Sequence, residues 1–252
     1  MKVLSRIYMF LVFGLLYAPI IVLVLYSFNR AGTFNTYSEF SLYWYVELFR
    51  DSVAIDALKN SLILASLSSV IATLIGTLAA YGIHRIRSKT AKTVINSVTN
   101  IPMMNPDIVT GVSMMLLFAA ASAIPFLKVE MGFGTMLIAH VTFNLPYVIL
   151  SVLPKFKQMD KHLTEAALDL GCTPARTFLK VELPSIMPGV ISGLMLGFTL
   201  SLDDFVISHF VSSPDFQTLP LYVTTRRRIK SNSACTRSAR LWLSSYWRFF
   251  SR

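Results

Sequence analysis

Five apolar runs alternate with polar connections along this chain. They span Ile7 to Phe28, Ser61 to Ile83, roughly Thr93 to Ala121, roughly Phe133 to Leu153, and Ile186 to Phe210. Each reaches the ~20 residues that a helix needs to cross a bilayer. All five are expected to be helical, because a backbone in lipid must pair its polar groups within its own segment. The first run, preceded by Lys2 and Arg6, exceeds the 7–15 apolar residues of a signal-peptide core and reads as an uncleaved span. The second is rich in Ser, Thr, Gly and Ala, which let helices approach closely where lipid offers no hydrophobic drive. "NIPMMNPD" interrupts the third. "SLYWYVELF" (Ser41 to Phe49) reads as a short interfacial helix, since Trp and Tyr favour the headgroup region.

The polar connections carry an orientation signal. Basic residues gather at the N-terminus, in "HRIRSKTAK" (His84 to Lys92), and in the segment holding Lys155, Lys157, Lys161, Arg176 and Lys180. The intervening loops, about 29–60, 122–132 and 211–219, carry few. Alternate loops therefore agree, and the charge rule places the N-terminus and the segment after the fourth run on the cytoplasmic side.

Composition strengthens the membrane reading. The 252 residues are 54% hydrophobic and 14% charged, against about a quarter charged in ordinary soluble domains. Mean hydropathy is +0.58. The net charge of +10 sits in one place: Thr224 to Arg252 holds eight Lys or Arg and no acid, leaving 15 basic and 13 acidic residues elsewhere. That distribution argues against a nucleic-acid-binding protein, for which no fold signature is present. Cys172 and Cys235 have no metal-ligand spacing, and a disulfide between them is not expected. An integral-membrane enzyme is a further rival reading. Yet HExxH, GxSxG and Walker A patterns are absent, and His84, His140, His162 and His209 lie at different expected depths.

The segment between the fourth and fifth runs has its own pattern. In "MDKHLTEAALDLG", Leu163, Ala166, Ala167 and Leu170 recur at i, i+3, i+4 and i+7, one apolar stripe on a short helix. Asp160 is its expected N-cap and Gly171 its left-handed stop. Thr173 and Pro174 then read as N-cap and first residue of a second short helix, "PARTFLKVEL", ending at Leu183.

The spacing here resembles the EAA loop of bacterial ABC-importer permeases. Glu165, Ala166, Ala167, Gly171, Leu183 and Pro184 match that motif, with Val181 where the family commonly has Ile. The resemblance runs from about Ile7 to Tyr222 and is nearest to the spermidine/putrescine branch, through "MMNPDIV" (Met103 to Val109), "SLDDFVIS" (Ser201 to Ser208) and "LPLYV" (Leu219 to Val223). It implies an all-α polytopic membrane bundle at residues 1–223, with a cytoplasmic loop at about 154–184 that docks into the ATP-binding subunit. It implies a bacterial inner-membrane location, a second permease subunit, a cytoplasmic ATPase dimer and an extracytoplasmic polyamine-binding protein. The chain itself would bind no cofactor, with ATP and Mg used by the partner ATPase. A permease for another small solute is the alternative. Members of this branch usually carry a sixth span where this chain has the basic tail 224–252, too short in apolar residues to cross. A shifted or truncated reading frame would account for that composition, and a native variant tail is the alternative. An odd number of spans would also leave the basic tail outside, against the charge rule.

Asp107, Asp203 and Asp204 fall inside apolar segments, where a carboxylate costs at least ~2.5 kcal/mol at mid-span. In "NPD", Asn105 reads as N-cap, Pro106 as the first helical residue and Asp107 as the first-turn acid. Two roles stay open for these acids: capping and water exposure at a lip, or facing a path used by a cation. Polyamines are flexible polycations, which spaced carboxylates would suit. His140 and Asn144, four residues apart, form a polar stripe expected to bond between helices. Phe143, Tyr147, Phe198 and Phe205 could offer cation–π faces, although packing is their commoner use.

Overall fold

The structure is a computed structural model that describes residues 2–30, 38–124 and 129–226. Of the tail beginning at Thr224, residues 227–252 lie outside that range, and the expectations for them with it. Among the described residues the elements are helical, with two isolated bridges, Asn29 with Phe40 and Ser213 with Phe216. Among the described residues four helices are long and apolar enough to cross a membrane, or five when one bent pair counts as a span. The chain divides into two compact units, up to residue 56 and from residue 57.

The first unit contains α1 (Lys2–Ser27) and α2 (Tyr43–Arg50). The apolar side chains of α1 are exposed around its circumference, as suits a helix whose solvent is lipid. At its end the chain turns back on itself. Buried Asn29 accepts from the Ser38 amide and hydroxyl, and Phe28 stacks on Phe40 with ring centres 4.9 Å apart. The Trp44 indole N–H donates to the Asn29 carbonyl at 3.1 Å, so the aromatic segment is helical as expected and anchored to this turn.

The second unit is organised around α6 (Phe133–Gln158). One side chain cluster joins α6 to α3 (Ser52–Arg85) and α9 (Leu183–Asp203), through Ala72, Ala80, Val148, Val152, Phe156 and Ile186. A second joins α6 to α3, α5 (Asp107–Ser122) and α10 (Val206–Val211), through Leu64, Phe118, Met136, Ala139, Ile207 and Val211. Glycine decides how closely these helices approach. A Cβ at Gly76 would stand 2.7 Å from Val148 Cγ1. One at Gly189 would stand 2.9 Å from the Ser151 carbonyl oxygen. Gly189, Gly193 and Gly197 recur every four residues and turn one smooth face of α9 toward α6.

Two helix ends differ from the sequence expectation. The third run is broken in two: α4 (Lys89–Met104) meets α5 at 101°. The break is where "NPD" predicts it, but one residue displaced. Asn105 closes α4, Pro106 is the N-cap of α5, and Asp107 is its first residue. Proline's fixed φ and missing N–H suit it to a cap whose own amide would be unpaired. The fifth run ends at Asp203 rather than Phe210, because the backbone extends at Asp204 before α10 begins.

The largest difference lies below the fifth span. The helix starting at Pro174 does not stop at Leu183. It passes from α8 (Pro174–Thr177) through one π-helical turn (Phe178–Glu182) into α9, a 30-residue rod from Pro174 to Asp203. Leu183–Pro184 reads as a stop because proline brings no N–H. Here the Leu183 N–H reaches back five residues to the Phe178 carbonyl, and Pro184 falls in the first turn of α9, where proline is tolerated.

Candidate functional sites at the two ends of one helix

The lower end of the rod carries α7 (Lys161–Asp169). The Asp160 carboxylate accepts from the His162 amide at 3.0 Å and caps the helix. At its far end Gly171 adopts φ +84°. The Gly171 amide donates to the Leu168 carbonyl, and the Cys172 amide to that of Ala167. This pair of bonds is the Schellman stop that a glycine permits. Thr173 precedes Pro174 as the N-cap, but its side chain makes no capping bond.

The apolar stripe of α7 splits across two faces. Ala167 is buried, whereas Leu163, Ala166 and Leu170 are exposed, Leu170 by 85%. Glu165 is exposed too and pairs with His162 at 3.3 Å. The remaining motif residues lie in the rod, Leu183 half-buried and Pro184 exposed. Beneath α7 sits a residue that sequence reasoning passed over. Glu182 is buried, and its Oε1 accepts from Arg85 Nη2 at 3.0 Å and Thr164 Oγ1 at 3.2 Å. A charged residue between Val181 and Leu183 was visible in the sequence; its partner 97 positions away was not.

The upper end of the rod borders an open cleft of about 270 Å³. Asp107, Asp203 and Asp204 all line it, with Phe143, Thr199, Leu200, Phe205 and Val206. The fold thus gathers the three acids from the break before α5 and the break after α9. Asn105 is exposed and is not part of the lining; nor are Tyr147 and Phe198. The acids are not equivalent. Asp107 and Asp203 are exposed. The Asp204 side chain is 7% exposed: Oδ1 accepts from the Ile207 amide at 3.2 Å, and Oδ2 from the Ser208 amide at 2.8 Å. Its Oδ2 also lies 3.5 Å from His140 Nε2.

Behind this carboxylate runs a buried polar network. His140 Nδ1 lies 2.8 Å from the Ser201 hydroxyl and Nε2 3.2 Å from that of Ser208. Asn144 Nδ2 donates to Ser201 Oγ at 3.2 Å, and Ser201 meets Ser68 of α3 at 2.8 Å. His140 and Asn144 therefore bond between helices, as their spacing suggests. The serines carry no distinctive sequence signal. Among the described residues no group of three His, Cys, Asp or Glu could hold a metal ion.

Comparison with known proteins adds three findings. The family described as binding-protein-dependent transport system inner membrane component matches residues 72–244. The chain is 38% identical to the putrescine transport system permease protein PotI of Escherichia coli K12 over 233 residues, 92% of this chain and 83% of that one. It is 38% identical to the spermidine/putrescine transport system permease protein PotC of Haemophilus influenzae, over 86% of this chain and 81% of the relative. In fold it resembles the crystal structure of a bacterial ABC transporter involved in the import of the acidic polysaccharide alginate. There the TM-score is 0.70 at 13% identity, covering 90% of this chain and 79% of that one.

Proposed function

This chain belongs to the binding-protein-dependent transport system inner membrane components, and from that premise we propose that it forms part of the path by which polyamines enter the cell. As a permease subunit it is not itself the ATPase; ATP hydrolysis belongs to a partner. In our reading a second permease completes the path, a cytoplasmic ATPase dimer binds ATP and Mg, and an extracytoplasmic binding protein delivers putrescine or spermidine. The observation that carries this reading is the single rod from Pro174 to Asp203. It has an exposed apolar helix at its base and acid-lined space at its tip.

Each end suits its task. Leu163, Ala166 and Leu170 with Glu165 present a small apolar face edged by charge, the surface that a cleft in a partner protein would cover. At the other end, Asp107 and Asp203 are available to ammonium groups, while Leu200 and Val206 line the space between with apolar surface suited to a methylene chain. Neither acid stands alone in a deep pocket, so a polycation can be attracted without being trapped. A rod of this length spans about 45 Å at 1.5 Å per residue. Movement of its base is thereby carried to the residues beside the acids.

Orientation follows from charge. Arg85, Lys89, Lys92, Lys155 and Lys157 lie in the terminal turns of α3, α4 and α6, with Arg87 between α3 and α4, and Arg85 reaches Glu182 beside α7, which favours a cytoplasmic position for α7 and, by alternation, for the N-terminus. The experiment is reconstitution in liposomes with the companion permease, ATPase and binding protein, measuring ATP-dependent uptake of labelled putrescine and spermidine. Glu165→Ala and Gly171→Val are expected to abolish uptake while membrane insertion persists. Normal uptake and normal co-purification with the ATPase in both variants would overturn the assignment of α7.

A further inference from the structure

We propose that Glu182 is a positioning residue that makes α3 move with the rod when α7 is pushed. The inference rests on the reading of α7 given above. Three elements meet at this one carboxylate. Oε1 holds Arg85 from the last turn of α3 and Thr164 from α7, while Glu182 itself belongs to the π-helical turn below α9. The carboxylate is 3% exposed, and among the described residues Oε2 has no hydrogen-bond partner. A buried, half-satisfied charge is a costly way to fill space. The Arg85 guanidinium is held from its other side, 4.9 Å over the Tyr81 ring, and Tyr81 in turn packs on Phe178 with ring centres 4.6 Å apart.

Connectivity makes this joint necessary. From α7 to α9 the path is covalent, through the Gly171 stop and α8. From α7 to α3 no short covalent path exists, since α3 ends at Arg85 and α7 begins only at Lys161. Thr164 stands directly before exposed Glu165, so force received on the outer face of α7 arrives at Glu182 through its inner face. The two helices are joined again higher up, where Ser68 of α3 meets Ser201 of α9 at 2.8 Å, next to His140. With both joints intact, α3 and α9 are displaced together and the Ser68–Ser201 register is preserved. With the lower joint cut, α3 follows α9 through apolar packing alone and that register is loosened beside the cleft.

The test uses the full complex in liposomes and reads two quantities together, stimulated ATP hydrolysis and polyamine uptake per ATP. Glu182→Gln is expected to keep complex yield and ATPase stimulation while uptake per ATP falls about fivefold or more. Because Arg85 and Glu182 act as one joint, the double variant Glu182→Gln with Arg85→Gln should be no worse than the single one. Should Glu182→Gln fail to assemble, Arg85→Gln decides, since it cuts the same pair from its more exposed side and should likewise lower uptake per ATP. Uptake per ATP equal to that of the unaltered chain, or loss of ATPase and uptake in equal proportion, overturns the inference. Glu165→Ala is measured in parallel. If it abolishes uptake while Glu182→Gln keeps full uptake per ATP, only this inference falls; if it too has no effect, the reading of α7 falls first.

Discussion

The two ends of the rod each bury a carboxylate, and each uses it differently. At the base, Glu182 is held by a guanidinium and a hydroxyl from two other helices. At the tip, Asp204 is held by two backbone amides and His140. The surroundings diverge: beside Glu182 lies an exposed apolar face, beside Asp204 lie two further acids that remain exposed. A charge already engaged by protein groups fixes geometry; a charge left facing an open cleft is available to a ligand. The base therefore keeps its carboxylate within the protein, whereas the tip leaves two facing open space.

The sharpest way to break this comparison is Asp204→Ala against Asp203→Ala. Removing Asp204 takes the side-chain acceptor from the Ile207 and Ser208 amides, while His140 keeps Ser201 and Ser208, a loss of about 2 kcal/mol or more. Removing its exposed neighbour should shift stability by no more than about 0.5 kcal/mol. Thermal midpoints of the purified complex compare the two; equal shifts would make the acids equivalent after all.

The seating of the rod offers a second contrast. Gly189, nearer the base, leaves no room: an added Cβ would press on the Ser151 carbonyl and on Lys155 Cγ at 2.6 Å. Gly189→Ala should therefore cost about 1–3 kcal/mol. At Gly197, nearer the tip, the nearest atom to an added Cβ is Asn144 Cγ at 3.5 Å, an ordinary contact. Gly197→Ala should be neutral, or stabilising by up to about 1 kcal/mol through helix propensity. Extraction yield and thermal midpoint measure both.

At the base, Gly171→Ala asks a residue with a Cβ to hold φ +84°, at about 1–2 kcal/mol. The strain falls on the stop of α7, so uptake should fall while complex yield holds, and Gly171→Asn should retain more uptake than Gly171→Val. Smallest in stability is Asp107→Asn, expected within about 0.5 kcal/mol. Its effect belongs to uptake, lowered about fivefold at limiting polyamine, the equivalent of the ~1 kcal/mol between unit charges 4 Å apart in water. Unchanged uptake across substrate concentrations would leave Asp107 as a helix-end residue.

Local features were legible in the sequence. Asp160 caps α7 and Gly171 ends it because both act through neighbours within a few positions. The break in the third run follows likewise from "NPD". Leu183–Pro184 misled, because proline ends most helices and the five-residue bond that carries this one past it has no composition of its own. The split of the α7 stripe was hidden as well, since periodicity marks a face without saying what covers it. Pairings across the chain were out of reach: Arg85 with Glu182, Ser68 with Ser201 and His140 with Ser208 are each made by packing between distant segments.

The buried network has a consequence in time. Ser201 follows His140 by 61 residues, so at about 5–20 residues per second it is synthesised roughly 3–12 s later. During that interval α6 has been made, with its imidazole and the Asn144 amide, while the helix that satisfies them has not. Hydrocarbon has no donors or acceptors to lend. α6 must therefore wait beside water, protein or the insertion machinery before it settles, whereas α1, with no such debt, is free to enter lipid as soon as it is made.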